Sequence, residues 1–176
     1  VSSTCVTEKE LIFGGEDRLR EQIQSTLELM DGDLYFALTA CMVEMIGDDV
    51  KSIAAEFCDD RTTVLAAETG GFRGDSYDGY DLVMETLVRD FVEKSEEKDS
   101  KTVNLFGVVP IMDIFYKKDL TILKNLIEEM GFAVNTFFGE YETLDNLKNS
   151  GCACMNIVVS DTYGIKTAQC YEAVHN

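Results

Sequence analysis

Residues 34–49 read LYFALTACMVEMIGDD, a continuous apolar run followed by a cysteine and, at the end, two aspartates. The run at 34–40 predicts a strand buried on both faces, as in the parallel sheets of α/β proteins. Cys41 stands at the tip of that strand, before a stretch interpreted as a polar loop. Asp48 is placed to cap a helix that runs through Phe57, because a short carboxylate can accept from the amides of a first turn.

Strands and helices alternate on both sides of this stretch. The apolar spacing predicts further helices at 16–30, 80–92, 120–130, 143–149 and 163–174, and further strands at 11–13, 62–67, 103–109, 132–138 and 155–159. The alternation predicts an α/β protein of two Rossmann-like or flavodoxin-like units with mainly parallel sheets flanked by helices. A run of charged residues and serine predicts a first unit at 1–95, a linker at 96–101 and a second unit at 102–176, truncated at its C-terminus.

Composition excludes several classes of partner. The chain of 176 residues carries a formal net charge of −18, and such a surface repels a phosphate backbone, so nucleic acid is not expected as a partner. No apolar run approaches the roughly 20 residues that cross a bilayer, and no secretion signal is visible, so we expect a cytoplasmic location and no membrane partner. Because the first residue is Val1 and not Met, we expect a fragment of a longer protein.

The six cysteines are Cys5, Cys41, Cys58, Cys152, Cys154 and Cys170. Without a secretion signal, disulfides are not expected, and the lack of a Cys-x-x-Cys pair argues against a zinc ribbon. Cys152 and Cys154 give a weak metal signal and are interpreted as two positions on one face of a strand. Cys58 and Cys170 are interpreted as small core residues within helices. His175, the only histidine, is expected to be exposed at the chain end, which argues against a Cys–His catalytic pair.

Ligands of parallel sheets bind at the carboxyl ends of the strands, so the loops after the strands are the candidate sites. Gly14 and Gly15 could expose free amides to an anion or form a tight turn. Arg73, in the glycine-rich loop 70–74, could bind an anion or clamp a neighbouring carboxylate. Asp48 with Asp49 could bind a hard cation, but capping and helix-dipole stabilisation are preferred.

Cys41 has two interpretations on the residues alone. A thiolate at the end of a rigid strand is a ligand for an iron–sulfur cluster, copper or zinc. A single cysteine cannot hold a cluster, so the other ligands would have to come from elsewhere. The alternative is an inert buried thiol, which the pattern alone favours.

The motifs, taken in order, resemble nitrogenase component 1. The resemblance rests on FGGE at 13–16, CMVEMIGDD at 41–49, GFRG at 71–74 and the strand–helix unit at 103–138. This family includes the molybdenum–iron protein subunits, their cofactor-assembly scaffolds, and the dark-operative protochlorophyllide and chlorin reductases. The resemblance implies a two-component reductase, in which an ATP-hydrolysing iron protein docks on a component 1 oligomer and passes electrons to an interfacial iron–sulfur cluster.

The family pattern matches Cys41 to one ligand of that cluster. It implies that the other ligands from the same subunit lie upstream of Val1, so we expect that this fragment cannot hold the cluster alone; no motif makes Cys5 a ligand. The positions assigned to cofactor binding are Gly14, Gly15, Gly71, Arg73, Gly74 and Ser160, and no catalytic residue is assigned.

Two departures from the family pattern bear on the substrate. In the catalytic nitrogenase subunit, a cysteine that anchors the metal cofactor follows the strand matched here at 156–159, whereas this chain has Ser160. After the GFRG motif that subunit has Gln and His, whereas residues 75–80 here read DSYDGY and include Tyr77. Both changes argue against dinitrogen reduction. They leave a nitrogenase-like reductase, an assembly scaffold or the partner subunit without that cofactor, and, apart from the resemblance, a flavodoxin-like domain that binds a small anion.

Overall fold

The computed structural model describes residues 1–139 and 142–175. The chain divides into two compact units, Val1–Thr86 and Leu87–Asn176. Each is built on a small parallel sheet flanked by helices, which confirms the predicted α/β class with mainly parallel strands. Within the described ranges, no helix combines the length and the apolar character that crossing a bilayer requires.

The elements of the first unit are, in chain order, α1 (Glu8–Phe13), α2 (Glu16–Leu29), β1 (Tyr35–Leu38), α3 (Cys41–Ile46), α4 (Val50–Ala55), β2 (Val64–Ala67) and the beginning of α5 (Ser76–Asp90). β1 pairs with β2 in parallel, with Tyr35 opposite Val64 and Leu38 opposite Ala67. Because paired parallel strands end at the same edge of a sheet, the loops after β1 and β2 leave the sheet side by side.

The core of the first unit lies where α2 and α4 pack on the sheet. Its buried members are Ile23, Val50, Ile53, Ala54, Val64 and Ala66. β2 is buried along its whole length, whereas β1 is half-buried and ends in an exposed Leu38. The prediction that the strand at 34–40 is buried on both faces is therefore wrong, since β1 pairs only with β2 among the described residues and has an open edge.

Residues 11–13 end helix α1, so the predicted strand there is wrong. The Thr7 N–H at the start of this helix donates to the Glu10 carboxylate at 2.8 Å, which satisfies an amide that the helix leaves free. Gly14 ends the helix, because its N–H donates to the Glu10 carbonyl oxygen at 2.9 Å and its φ of +93° suits glycine. Local capping outweighs an apolar run that is too short to define a strand.

The polar loop predicted after Cys41 is also a helix. Cys41 is the first residue of α3, and the apolar residues that follow it continue the helix to Ile46. Gly47 ends α3 in the left-handed conformation, with a φ of +84°. Cys41 therefore lies at a helix start and not in an irregular loop.

Asp49, and not Asp48, caps helix α4. The Asp49 carboxylate accepts from the Ser52 N–H at 3.0 Å and from the Ser52 hydroxyl at 2.6 Å. Asp48 instead accepts from the Gly15 N–H at 2.8 Å. A local capping rule does not distinguish two adjacent aspartates, because both have short carboxylates. Which of them caps α4 therefore depended on which one lies next to Gly15.

The elements of the second unit are the end of α5, β3 (Asp99–Phe106), α6 (Tyr116–Glu129), β4 (Ala133–Asn135), α7 (Leu144–Lys148), a 3₁₀ helix (Asn149–Cys152), β5 (Ala153–Val158) and α8 (Ile165–His175). β3 is the middle strand of a parallel sheet in the order β4-β3-β5. Val103, Leu105, Leu120, Ile127 and Val134 form its core with α6. β3 starts at Asp99, earlier than predicted, within the polar stretch at 96–101.

Three predictions about the cysteines and the histidine are wrong. His175 is only 6% exposed, because its Nε2 lies 2.9 Å from the Val88 carbonyl oxygen and its ring packs on Tyr171. Cys152 lies in the 3₁₀ helix and Cys154 in β5, so the pair does not share a strand face. Cys58 is exposed beyond the end of α4. Cys170, by contrast, is buried in α8, which confirms its predicted place in the core.

Candidate functional site

The loops that follow β1 and β2 are joined by hydrogen bonds between two threonines. The Thr69 N–H donates to the Thr39 hydroxyl oxygen at 3.0 Å. The Thr69 hydroxyl donates to the Thr39 carbonyl oxygen at the same distance. Thr39 is only 8% exposed, so these bonds are shielded from water and hold the two loops together at the end of the sheet.

Glu44 is a buried carboxylate at the centre of this arrangement, with a side chain that is 5% exposed. Its Oε1 accepts from the Thr39 hydroxyl and from the Gly70 N–H, the latter at 2.6 Å. Its Oε2 accepts from Arg73 Nε at 2.6 Å. Burial raises the pKa of this carboxyl, but the hydrogen bonds from Thr39, Arg73 and Gly70 and the charge of Arg73 outweigh it, so its pKa lies below the usual value. Glu44 is therefore ionised at neutral pH.

The Cys41 sulfur accepts a hydrogen bond from the Gly71 N–H at 3.0 Å. Cys41 is exposed at the start of α3, so the thiol is held by the protein on one side and remains accessible. A Cβ added to Gly71 would lie 3.4 Å from the sulfur, which shows how closely the backbone approaches it. Hydrogen bonds to a sulfur tune the properties of a thiolate ligand.

Arg73 clamps neighbouring carboxylates, which was one of its two predicted alternatives. Its Nε donates to Glu44, and its Nη2 donates to Glu68. The guanidinium also lies 6.0 Å from the centre of the Phe72 ring. A positive charge held between two carboxylates is already compensated, so the geometry favours the carboxylate clamp over an anion site at this residue.

Gly14 and Gly15 face a carboxylate of the same unit. The Gly15 N–H donates to Asp48, and a Cβ added to Gly15 would lie 2.9 Å from the Asp48 Oδ2 atom. The glycines thus permit the close approach of Asp48, whose negative charge stands where a bound anion would meet the Gly15 amide.

Gly74 lines a cavity of about 260 Å³ in the first unit. A Cβ on Gly74 would lie 2.2 Å from the Asp78 carboxylate, and its φ of +154° also requires glycine. Asp75, another lining residue, accepts from the Tyr77 N–H at 2.9 Å and places Tyr77 at the start of α5. The cavity is bordered by carboxylates as well as by Arg73.

Ser160 lies in the second unit, just beyond the end of β5. Its hydroxyl oxygen accepts from the Thr162 N–H at 3.1 Å, as in a short serine turn. Gly107, beyond β3, allows this loop to approach, because a Cβ there would lie 2.7 Å from the Ser160 nitrogen. Ser160 therefore belongs to the carboxyl edge of the second sheet.

The structure thus brings together Cys41, Gly71 and Arg73, and it pairs Gly14 and Gly15 with Asp48. The sequence patterns did not indicate Thr39, Glu44 and Thr69, which connect the first group through Gly70 of the predicted loop at 70–74. One available signal was spacing: Glu44 follows Cys41 by three residues, and in a helix this places both side chains on neighbouring positions of one face.

Metal ligands are sparse at this site. In the part of the chain that the structure describes, no group of three or more His, Cys, Asp or Glu residues is arranged to hold a metal ion. Cys41 offers one soft ligand with a hydrogen-bonded sulfur, which fits one corner of an iron–sulfur cluster and not a complete site.

Exposed apolar side chains lie on α3, the helix that begins at Cys41, and on α1, which packs against α3. We call the set of Ile12, Phe13, Met42 and Met45 the apolar rim. Phe13 and Met45 are each 81% exposed. Large apolar side chains exposed on adjoining helices are typical of interaction surfaces.

Comparison with known proteins relates this chain to nitrogenase proteins. Residues 1–176 match the profile of the nitrogenase component 1 type oxidoreductases. The nitrogenase molybdenum–iron protein beta chain of Azotobacter vinelandii is 29% identical over 150 residues, which cover 81% of this chain and 28% of that protein. The nitrogenase iron–molybdenum cofactor biosynthesis protein NifE of Methanococcus maripaludis is 28% identical over 162 residues, which cover 89% of this chain and 32% of that protein.

The fold agrees with these matches. The solved structure of "Nitrogenase Cp1 at pH 5" has a TM-score of 0.73 and 22% sequence identity, and the match covers 97% of this chain and 34% of that one. The chain spans about a third of the length of the curated relatives it matches. The profile match over the whole chain confirms the resemblance found in the motifs, and the chain belongs to the nitrogenase component 1 type oxidoreductase family.

Proposed function

We propose that this chain is part of a nitrogenase-like component 1 subunit, an oxidoreductase that passes electrons from an ATP-dependent iron protein through an interfacial iron–sulfur cluster. The observation that carries the proposal is the exposed Cys41 sulfur, which a rigid helix start and the Gly71 N–H hold in place. Family membership and the molybdenum–iron protein relatives support it.

Cys41 would provide one thiolate ligand, and the remaining ligands come from elsewhere in the complete complex. A bound cluster supplies one-electron transfer. The role of this chain is to aim the sulfur: α3 fixes the Cys41 backbone, and the Gly71 N–H fixes the side on which the sulfur remains open. The same N–H withdraws electron density from the sulfur and favours the reduced form of a bound cluster.

The apolar rim supports a protein partner at this site. A second component 1 subunit, identical or different, that packs on α1 and α3 would bury Phe13 and Met45 and shield Cys41 from water. Shielding matters for electron transfer because solvent exposure shifts the potential of a cluster.

The proposal is tested with the full-length protein made without oxygen together with its partner subunit. We expect a brown complex with iron–sulfur absorption and bound iron. Cys41→Ala removes most of that absorption, whereas Cys154→Ala, which changes an exposed cysteine of the other unit, leaves it unchanged. Unchanged iron content in Cys41→Ala would falsify the role of Cys41.

A cofactor-assembly scaffold is the second candidate. The match to NifE, over 89% of this chain, favours it. Ser160, at the position where the catalytic subunit has a cofactor-anchoring cysteine, is compatible with a scaffold and equally with a nitrogenase-like reductase. Such a scaffold holds a cluster precursor and turns over no substrate. ATP-dependent substrate reduction by the purified complex with its iron protein counts against the scaffold, and transfer of a cluster to an acceptor without substrate reduction supports it.

A further inference from the structure

We infer that Glu44 is a positioning residue for Cys41: its carboxylate holds the turn at Gly70 and Gly71 so that the Gly71 N–H points at the Cys41 sulfur. The inference rests on the proposed function only in so far as that function makes Cys41 a cluster ligand. The contact geometry itself lies within the first unit.

Two consecutive backbone amides connect Glu44 with Cys41. The Gly70 N–H donates to Glu44 Oε1 at 2.6 Å, and the next N–H, that of Gly71, donates to Cys41 Sγ at 3.0 Å. Glu44 and Cys41 are three residues apart on α3 and therefore neighbours on its surface. One short turn of backbone thus contacts two side chains of one helix, and fixing the first contact sets the direction of the second.

Only an acceptor can hold this turn. A buried carboxylate costs free energy unless its oxygens are hydrogen-bonded, and a packing role alone would suit an apolar residue better. Here both oxygens are used, by the Thr39 hydroxyl and the Gly70 N–H on one side and by Arg73 on the other. A Cβ on Gly70 would lie 2.9 Å from the Glu44 carboxyl carbon, so the turn and the carboxylate fit together with no space to spare.

The consequence concerns the redox properties of the thiolate. A hydrogen bond from an amide lowers the electron density on a ligand sulfur and favours the reduced state of the metal it binds. Glu44 touches neither the sulfur nor a metal, so it acts through Gly71. Loss of its acceptor oxygens releases the Gly70 and Gly71 amides and makes the potential of the bound cluster more negative.

The test compares Glu44→Gln with Glu44→Met in the full-length subunit. Both variants remove the negative charge and keep an unbranched side chain of similar size, but only glutamine retains an acceptor for Gly70. The readouts are hydrogen exchange of the Gly71 amide in the subunit before cluster loading, and the reduction potential in the loaded complex. Glu68→Gln, which changes the exposed carboxylate that also pairs with Arg73, is the control.

We expect the Gly71 amide to exchange about tenfold faster or more in Glu44→Met, with a more negative potential, because one hydrogen bond of typical strength corresponds to about that factor. In Glu44→Gln, we expect the Gly71 amide to exchange within about threefold of the wild-type rate and the reduction potential to lie near the wild-type value. Glu68→Gln matches wild type. If Glu44→Met does not fold, Gly70→Ala, which displaces the same carboxylate from the other side, is measured in its place.

Two results overturn the inference. One is unchanged Gly71 exchange in Glu44→Met. The other is an equal loss of protection at Gly71 and at the core amides of β2, because that marks general destabilisation. A different result would contradict the proposed function: a wild-type complex that contains no iron means that Cys41 is not a cluster ligand. The hydrogen exchange of Gly71 would still decide whether Glu44 positions that amide.

Discussion

The Gly71 N–H donates to the Cys41 sulfur at 3.0 Å, across 30 positions of the chain. The contact exists because β1 and β2 run in parallel and end side by side, which brings the Gly71 backbone so close that an added Cβ would lie 3.4 Å from the sulfur. This hydrogen bond connects a cysteine that the sequence marked as a candidate ligand to a loop whose structural role the sequence did not indicate.

We expect alanine at Gly70 and alanine at Gly71 to lower the free energy of unfolding by different amounts. Gly70→Ala places its Cβ 2.9 Å from the Glu44 carboxyl, so the carboxylate must leave its partners, and we expect a loss of about 1–3 kcal/mol in the free energy of unfolding. Gly71→Ala meets the Cys41 sulfur at 3.4 Å, and we expect a loss below about 1 kcal/mol. Urea unfolding of both variants measures the difference. Equal losses would show that the Glu44 contact does not constrain Gly70.

Acid stability depends on Glu44. Its pKa is lower in the folded chain than the ordinary value of 4.5, so its ionised form adds stability above that value, and the contribution is lost as the pH falls through the folded pKa. We expect the free energy of unfolding to fall as the pH drops below about 4.5. The fall is less steep in Glu44→Gln, which has no carboxyl to protonate.

The control for this pH series is Glu96→Gln, which removes an exposed carboxylate from the second unit. Its slope with pH should equal that of wild type. A wild-type slope in Glu44→Gln would contradict the assignment of acid sensitivity to this buried group.

The two adjacent aspartates have separable roles. Asp49→Ala removes the cap of α4, and we expect a lower urea midpoint, by the amount typical of a lost helix cap. Asp48→Ala keeps that cap but releases the Gly15 N–H, so hydrogen exchange at Gly15 becomes faster while α4 stays protected. The opposite pattern, with α4 losing protection in Asp48→Ala, would support the capping role that the sequence pattern assigned to Asp48.

His175 stabilises the second unit from within. Truncation to alanine leaves a cavity beside Tyr171 and removes the ring nitrogen next to the Val88 carbonyl oxygen, so we expect a loss of about 2 kcal/mol or more. Glu172→Ala, an exposed change on the same helix, should alter the free energy of unfolding by less than about 0.5 kcal/mol. Thermal or urea unfolding checks both, and equal effects would return His175 to the surface role first expected for it.

Local patterns predicted much of the fold. The spacing of apolar residues located α2, α6 and α8. Gly131 follows the end of α6 with a φ of +94°, and its N–H donates to the Glu128 carbonyl oxygen at 2.9 Å. These features depend on residues within one or two turns of each other, so a window of sequence contains their causes. The strand predicted at 11–13 was wrong because local capping outweighs a short apolar run, and the loop predicted after Cys41 was wrong because its apolar residues continue a helix.

The site was predictable in outline only. The sequence placed Cys41 and the loop at 70–74 at the ends of two strands, and the rule for parallel sheets put those ends on one edge. It did not predict that Glu44 would be buried or that Glu44 would be one of the carboxylates that hold Arg73, since the partners of Glu44 at Gly70 and Arg73 lie 26 and 29 positions along the chain.

The alternation of strands and helices, the parallel arrangement and the place of Cys41 at a strand end followed from the amino-acid sequence alone, because short-range periodicity and turn residues encode them. Only the tertiary structure showed which amide meets the Cys41 sulfur, which carboxylate holds Gly70, and that His175 is buried. These contacts join segments 26 or more positions apart. Local propensity carries no information about which of these distant groups strand pairing and packing will bring within hydrogen-bonding distance.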